Sequence, residues 1–193
     1  MRIKPAIFIP TLYFAEGLPY TIVNMMSVVF YKNLGASNAF IGSATSFLAL
    51  PWTLKFLWSP LVDVRGTKRR WVVASQMVLA FVVLLAALGC FLPEPMYATL
   101  VIFLVVAVAS ATHDIAIDGY YMDVLDKSQQ AYYVGIRNAA YKVAWLTGSG
   151  FLVYLAGEMA ESTGLGVKGG WFVSFLVSAL LLLVLALFHM KAL

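Results

Sequence analysis

The chain has 193 residues, of which 62% are hydrophobic and 11% charged, and a formal net charge of +4. Its mean hydropathy is +0.88. Soluble domains carry roughly twice that charge fraction, so a soluble globular class is excluded and the composition indicates an all-α integral membrane protein. The basic residues sit where a membrane protein needs them, so the positive charge does not imply a nucleic-acid partner, and no cofactor or metal is expected.

Spanning a bilayer takes about 20 largely apolar helical residues. Six runs meet this, and strands are ruled out because an open sheet edge cannot sit in lipid. The first runs over about 5–31, with Glu16, Gly17 and Pro19 inside it. Arg2 and Lys4 precede it, but Glu16 interrupts the apolar run and no A-x-A site follows, so a retained span is expected rather than a cleaved signal peptide. Pro19 removes a backbone hydrogen bond, which predicts either a simple kink or a broken helix lining a binding site. The second run, 40–59, carries Lys55 and leaves the bilayer at Ser59-Pro60. A basic loop follows, with Asp63, Arg65, Lys68, Arg69 and Arg70. The third run covers 71–92, ends at Pro93-Glu94-Pro95 and contains Cys90, read as a small buried hydrophobe. The fourth covers 97–119, the fifth 132–156 with Arg137 and Lys142 inside, and the sixth 171–190.

Lysine and arginine set the orientation. Arg2, Lys4, Arg65, Lys68, Arg69, Arg70, Lys127 and Lys191 fall on one side, and only Lys32 and Lys168 fall in loops on the other. Both termini are therefore expected in the cytoplasm. Trp58, Trp71, Tyr120, Tyr121, Tyr132, Tyr133 and Trp171 read as interface anchors. Tyr13, Tyr20 and Trp145 lie within spans, where aromatic stacking on a sugar ring and plain packing are both open.

Ionisable residues inside a span cost at least ~2.5 kcal/mol each, so they face a partner or a wet cavity. A rise of about 1.5 Å per residue places Lys55, Asp114 and Arg137 roughly 6–8 Å inside the cytoplasmic boundary, and Glu16 and Lys142 roughly 15 Å in. Two layers follow: an inner one in which Asp114 balances Lys55 and Arg137, and a midplane one in which Glu16 balances Lys142. Asp118, four residues from Asp114, shares its helix face and reaches the surface near Asp63. These charges are either structural ion pairs or a solute and proton pathway with a charged gate. Glu16 is the best-placed carboxylate to carry a proton. His113 lies about 100° around the helix from Asp114 and reads as a satisfied packing residue.

Three blocks carry a family resemblance: Tyr13-Phe14-Ala15-Glu16-Gly17-Leu18-Pro19-Tyr20, the run 50–63 (LPWTLKFLWSPLVD), and the run 111–120 (ATHDIAIDGY). In order and spacing they resemble the AmpG-type muropeptide permeases of the major facilitator superfamily, which are related to acetyl-CoA transporters. The resemblance implies a secondary transporter importing sugar–peptide fragments of the cell wall with protons across the inner membrane. Within that frame the buried charges make Glu16 the first choice for substrate or proton coupling, with Lys142 its expected partner and Tyr13 and Tyr20 in the same span. The resemblance further implies a cytoplasmic latch at Asp63 with Arg65, Arg69 or Arg70, and Asp118 nearby. That loop usually reads G-x-x-x-D-R-x-G-R-R; here Asp63 and Gly66 fit, while Val64 and Thr67 depart. His113 stands where the family often has glutamine. The superfamily uses two six-helix halves, each an inverted pair of three-helix repeats, so residues 1–193 correspond to the N-terminal half. A C-terminal half or a second copy is the expected partner.

Two other classes are open. Asp114, Asp118, Asp123 and Asp126 could bind Mg²⁺ and a diphosphate as in CDP-alcohol phosphotransferases. The spacing, D-x-x-x-D-G and then D-x-x-D with no Ala-Arg, is wrong at each step, so a transporter and not an enzyme is expected. The other is a non-transporting fragment or assembly partner.

Overall fold

The computed structural model describes residues 4–162 and 164–193; Arg2 lies outside them. Among the described residues six long helical rods follow in order: α1 (Pro5–Asn33), α2 (Asn38–Leu57), α3 (Lys68–Gly89), α4 (Pro95–Val124), α5 (127–162) and α6 (Gly166–Ala192). No strand occurs among the described residues. All except α5 are long and apolar enough to cross a membrane. α5 is long enough but falls short in apolarity, because it carries Arg137, Lys142 and the polar run Thr147-Gly148-Ser149-Gly150.

Local chemistry sets the helix boundaries. Pro5 and Pro95 occupy first-turn positions, where the missing N–H would be unpaired in any case. Ser37 accepts from the Phe40 N–H and Thr67 from the Arg70 N–H, starting α2 and α3. Asp126 and Gln129 form a reciprocal capping box, so α5 begins at Lys127, five residues before its apolar run. Gly66, at a φ of 76°, makes the turn into α3. α2 tightens at Lys55–Leu57 and stops at Trp58, and a short helix, Ser59–Val64, carries the chain out.

Pro19 does not break α1. The α-helix continues to Thr21 and widens into a π-helical turn over Ile22–Met26. Carbonyls near it are taken up by side chains: the Thr21 hydroxyl donates to the Gly17 carbonyl at 2.8 Å and the Asn24 amide to that of Tyr20 at 3.0 Å. A second π-helical turn, Thr147–Leu152, lies in α5, and the two turns touch.

α1 packs on α5 and also meets α4 and α6, α3 packs on α4 and α6, α5 packs on α6, and α2 meets α4. Exchanging α1 with α4, α2 with α5 and α3 with α6 carries α1–α5 into α4–α2 and α1–α6 into α4–α3, but the α5–α6 contact has no counterpart of similar extent between α2 and α3. One core cluster is aromatic, with Phe30, Tyr31, Phe103, Trp171 and Phe175 fully or almost fully buried. Trp171 is therefore a core residue and not an interface anchor, its ring 5.4 Å from those of both Phe30 and Phe175. The second cluster lies at the opposite end and contains Phe8, Ile9, Leu12, Tyr13, Ile117 and Tyr121. At that end Lys4, Tyr120, Val124, Gln129 and Leu193 line one shared cleft, and the Arg69 guanidinium donates to the Met190 carbonyl at 2.8 Å, closing α6 onto α3. Lys4, Arg65, Lys68, Arg69, Arg70, Lys127 and Lys191 all fall there, and it is called the basic end below.

Candidate functional site

The seam between α1 and α5 orients the site. A Cβ added to Gly17 would stand 3.0 Å from the Ala144 Cβ and from the Tyr141 carbonyl oxygen, and one on Gly148 would stand 3.0 Å from the Thr21 Cβ. Gly17 and Thr21, four apart, thus face Ala144 and Gly148, four apart, in the small-residue packing that membrane helices use for close approach. This seam determines the rotation of α5. Arg137 is seven residues before Ala144, about two turns, so it shares the stripe facing α1; Lys142 is two residues before Ala144, about 200° around, and cannot.

Three ion pairs occur among the described residues. Lys55 on α2 pairs with Asp114 on α4. Arg137 Nη1 lies 3.6 Å from Asp118 Oδ1. Lys68 pairs with Asp63 and also donates to the Val62 carbonyl at 3.3 Å. The expected inner layer is therefore divided: Asp114 takes Lys55, whereas Arg137 goes one turn further, to Asp118. The expected loop pairing is also corrected. Asp63 bonds Lys68 and not Arg65, Arg69 or Arg70, because Arg69 is occupied by Met190 and Lys68 lies across Gly119, where an added Cβ would stand 2.8 Å from its Cε.

Glu16 does not pair with Lys142. Its carboxyl lies within hydrogen-bonding reach of Asp114, and its Oε2 is buried without a partner. The Lys142 ammonium sits instead over Trp145, 5.4 Å from the ring centre. The two layers inferred from depth thus merge into one constellation, Glu16–Asp114–Lys55, spanning α1, α4 and α2.

Tyr13 and Tyr121 frame the neighbouring pair. The Tyr13 hydroxyl donates to Asp118 Oδ1 at 2.9 Å, and the Arg137 guanidinium lies over both rings, 4.8 Å from that of Tyr13 and 5.3 Å from that of Tyr121. Tyr121 is thus a buried member of this group and not an anchor. An open cleft of about 580 Å³ at the basic end is lined by Asp118, Tyr121, Lys127 and Arg137, among others. Further along α1, Tyr20 meets Trp52 edge-on at 5.1 Å and Tyr141 at 6.1 Å. Trp58 Nε1 donates to Thr112 Oγ1 at 3.1 Å, tying the break in α2 to α4. Sequence reasoning did not single out Tyr141 or the Gly17/Thr21–Ala144/Gly148 seam; the fourfold spacing of small residues at 140, 144 and 148 was the available signal. No group of three or more His, Cys, Asp or Glu able to hold a metal occurs among the described residues.

Two adjacent carboxyls and one ammonium leave one negative charge uncompensated. Such a site can hold a proton between the carboxyls or accept a cationic group of a solute. A multi-pass bundle of apolar helices with an ionisable constellation shared among α1, α2 and α4 is the anatomy of a membrane carrier. The chain belongs to the Major Facilitator Superfamily, whose signature it matches over residues 11–193. It is 34% identical over 149 residues to an uncharacterized protein of Haemophilus influenzae, an alignment covering 74% of this chain and 34% of that protein. It is 29% identical over 151 residues to the anhydromuropeptide permease of Escherichia coli K12, covering 74% and 30%. It is 29% identical over 184 residues to the putative transporter AmpG 4 of Rickettsia conorii, covering 90% and 41%. The chain spans only about a third of the length of these relatives, and the AmpG-type resemblance carried by the three sequence blocks agrees with them.

Proposed function

We propose that this chain is the N-terminal six-helix half of a proton-coupled secondary transporter that imports anhydromuropeptides or related amino-sugar oligosaccharides across the inner membrane. The observation that carries the coupling is the contact between Glu16 and Asp114, with Lys55 on the latter. One ammonium neutralises one carboxylate, and a transported proton neutralises the other. The solute class comes from the permease among its relatives. Tyr20, Trp52 and Tyr141 offer aromatic edges next to that site, and Tyr13 holds the neighbouring Asp118, whereas Lys142, over Trp145, takes no part in it.

In this reading both termini are cytoplasmic, as the lysines and arginines at the basic end favour. The pairs Arg137–Asp118 and Lys68–Asp63 then act at the cytoplasmic gate. Arg65, Arg69 and Arg70 contribute charge to that loop. A C-terminal half or a second copy completes the carrier.

The test is uptake of labelled anhydromuropeptide by the complete transporter in proteoliposomes under an imposed pH gradient. Glu16→Gln is expected to abolish gradient-driven uptake while leaving solute-binding and folding in place. Undiminished uptake by that variant overturns the coupling assignment, and no uptake of any amino-sugar solute by the wild type overturns the solute class.

A further inference from the structure

A second polar group lies behind the carboxylates, between α1, α3, α4 and α6. Thr11, Gln76, His113 and His189 supply it, and Gln76, His113 and His189 are fully buried. His189 is the centre: Nδ1 is 3.0 Å from Gln76 Oε1 and Nε2 is 2.9 Å from Thr11 Oγ1. With the Gln76 oxygen towards it, Nδ1 carries the hydrogen and Nε2 takes the Thr11 hydroxyl hydrogen; with the amide turned over, the amide nitrogen donates to Nδ1 and Nε2–H donates to Thr11 Oγ1. The Ile7 and Phe8 carbonyls, at 3.2 and 3.0 Å, are the alternative acceptors for the single Thr11 hydroxyl hydrogen.

This inventory leaves a remainder. Gln76 Nε2 and both ring nitrogens of His113 are buried without a partner. Turning the amide over would only put its oxygen in the same place, so one amide atom is unpaired in either orientation. α3 packs against α4, and Ser75 and Thr112, the residues preceding Gln76 and His113, line one cleft between these helices, so Gln76 and His113 stand at the same height. Neutral imidazole presents one donor and one acceptor, and the amide nitrogen presents donors. An apolar filling satisfies none of them, whereas a water accepts from one group and donates to the next.

We infer that the space between Gln76 and His113 is an internal water site, at which bound water completes a polar crosslink running Thr11–His189–Gln76–water–His113 through four helices. His113 precedes Asp114, so this crosslink holds α4 from behind while Asp114 faces Glu16 and Lys55.

The experiment is water-edited solid-state NMR on the ¹³C,¹⁵N-labelled chain in lipid bilayers. Water magnetisation is expected to reach the His113 ring nitrogens well ahead of the buried Val106 and Phe103. A His113 ring as dry as Val106 overturns the site, as does direct transfer between the Gln76 amide nitrogen and His113 without water. In Gln76→Leu the transfer to His113 is expected to fall towards the Val106 level, and undiminished transfer overturns the bridging role of Gln76.

Discussion

Glu16 on α1 and Asp114 on α4 bring their carboxyls together, and Lys55 on α2 pairs with Asp114 alone. Three helices thus meet at a group with one more negative than positive charge. Whatever compensates the remaining carboxylate binds where α1, α2 and α4 converge.

Removing the ammonium by Lys55→Met leaves two carboxylates facing each other. Losing one partner of a buried pair costs about 3–5 kcal/mol, but the Lys55 side chain is 36% exposed, and a loss of about 1–2 kcal/mol is expected after solvent screening. Adding Asp114→Asn should restore most of it. Thermal unfolding of the four proteins in detergent checks this, and a double variant no more stable than Lys55→Met would contradict the pairing.

Arg137 answers to Asp118. A charge exchange, Asp118→Arg with Arg137→Asp, is expected to recover part of the stability that either single change loses. The corresponding exchange between Asp114 and Arg137 is expected to recover none. The coupling energy from each double-mutant cycle decides between the two partners.

Tyr13→Phe removes the hydroxyl that holds Asp118 while keeping the ring under Arg137. A hydrogen bond to a charged group contributes about 1.5–3 kcal/mol when buried; Asp118 is partly exposed, so about 1 kcal/mol is expected. Tyr13→Leu also removes the ring and should cost more. Equal losses in the two variants would show that the hydroxyl, and not the ring–guanidinium contact, carries the interaction.

Gly148→Ala should overpack the seam against Thr21, at a cost of about 1–3 kcal/mol, because the added methyl would stand 2.5 Å from the Thr21 Cγ2 and 3.0 Å from its Cβ. Thr21→Ala alone removes a hydroxyl and a methyl, and in combination it should relieve the overpacking. Gly150→Ala, where an added Cβ meets nothing within 4 Å, serves as the control and should be neutral or slightly stabilising.

Lys142→Gln is expected to leave stability within about 0.5 kcal/mol, since the ammonium sits over the Trp145 ring and forms no ion pair among the described residues. A large loss, measured in the same unfolding assay, would indicate a charge partner.

Much of this architecture was legible in the chain. Long apolar runs in a polypeptide with 11% charged residues can only be membrane helices, since lipid offers backbone groups no partner outside the helix. Three short blocks carried the family. The helix ends were less legible where capping, not hydropathy, decided them, as at Asp126.

Which acid meets which base was a different matter. Sequence position gives a residue's height along its helix, and height alone paired Glu16 with Lys142 and Arg137 with Asp114. Rotation about the axis is set by packing, and here by the small residues at 17, 21, 144 and 148 that seat α1 on α5. That seam turns Arg137 towards Tyr13 and Asp118 and turns Lys142 away. The sequence by itself determined the membrane bundle and the inventory of buried charges. The tertiary structure decided their pairing, because a contact between helices depends on azimuth, and azimuth is a property of two packed surfaces rather than of either chain segment alone.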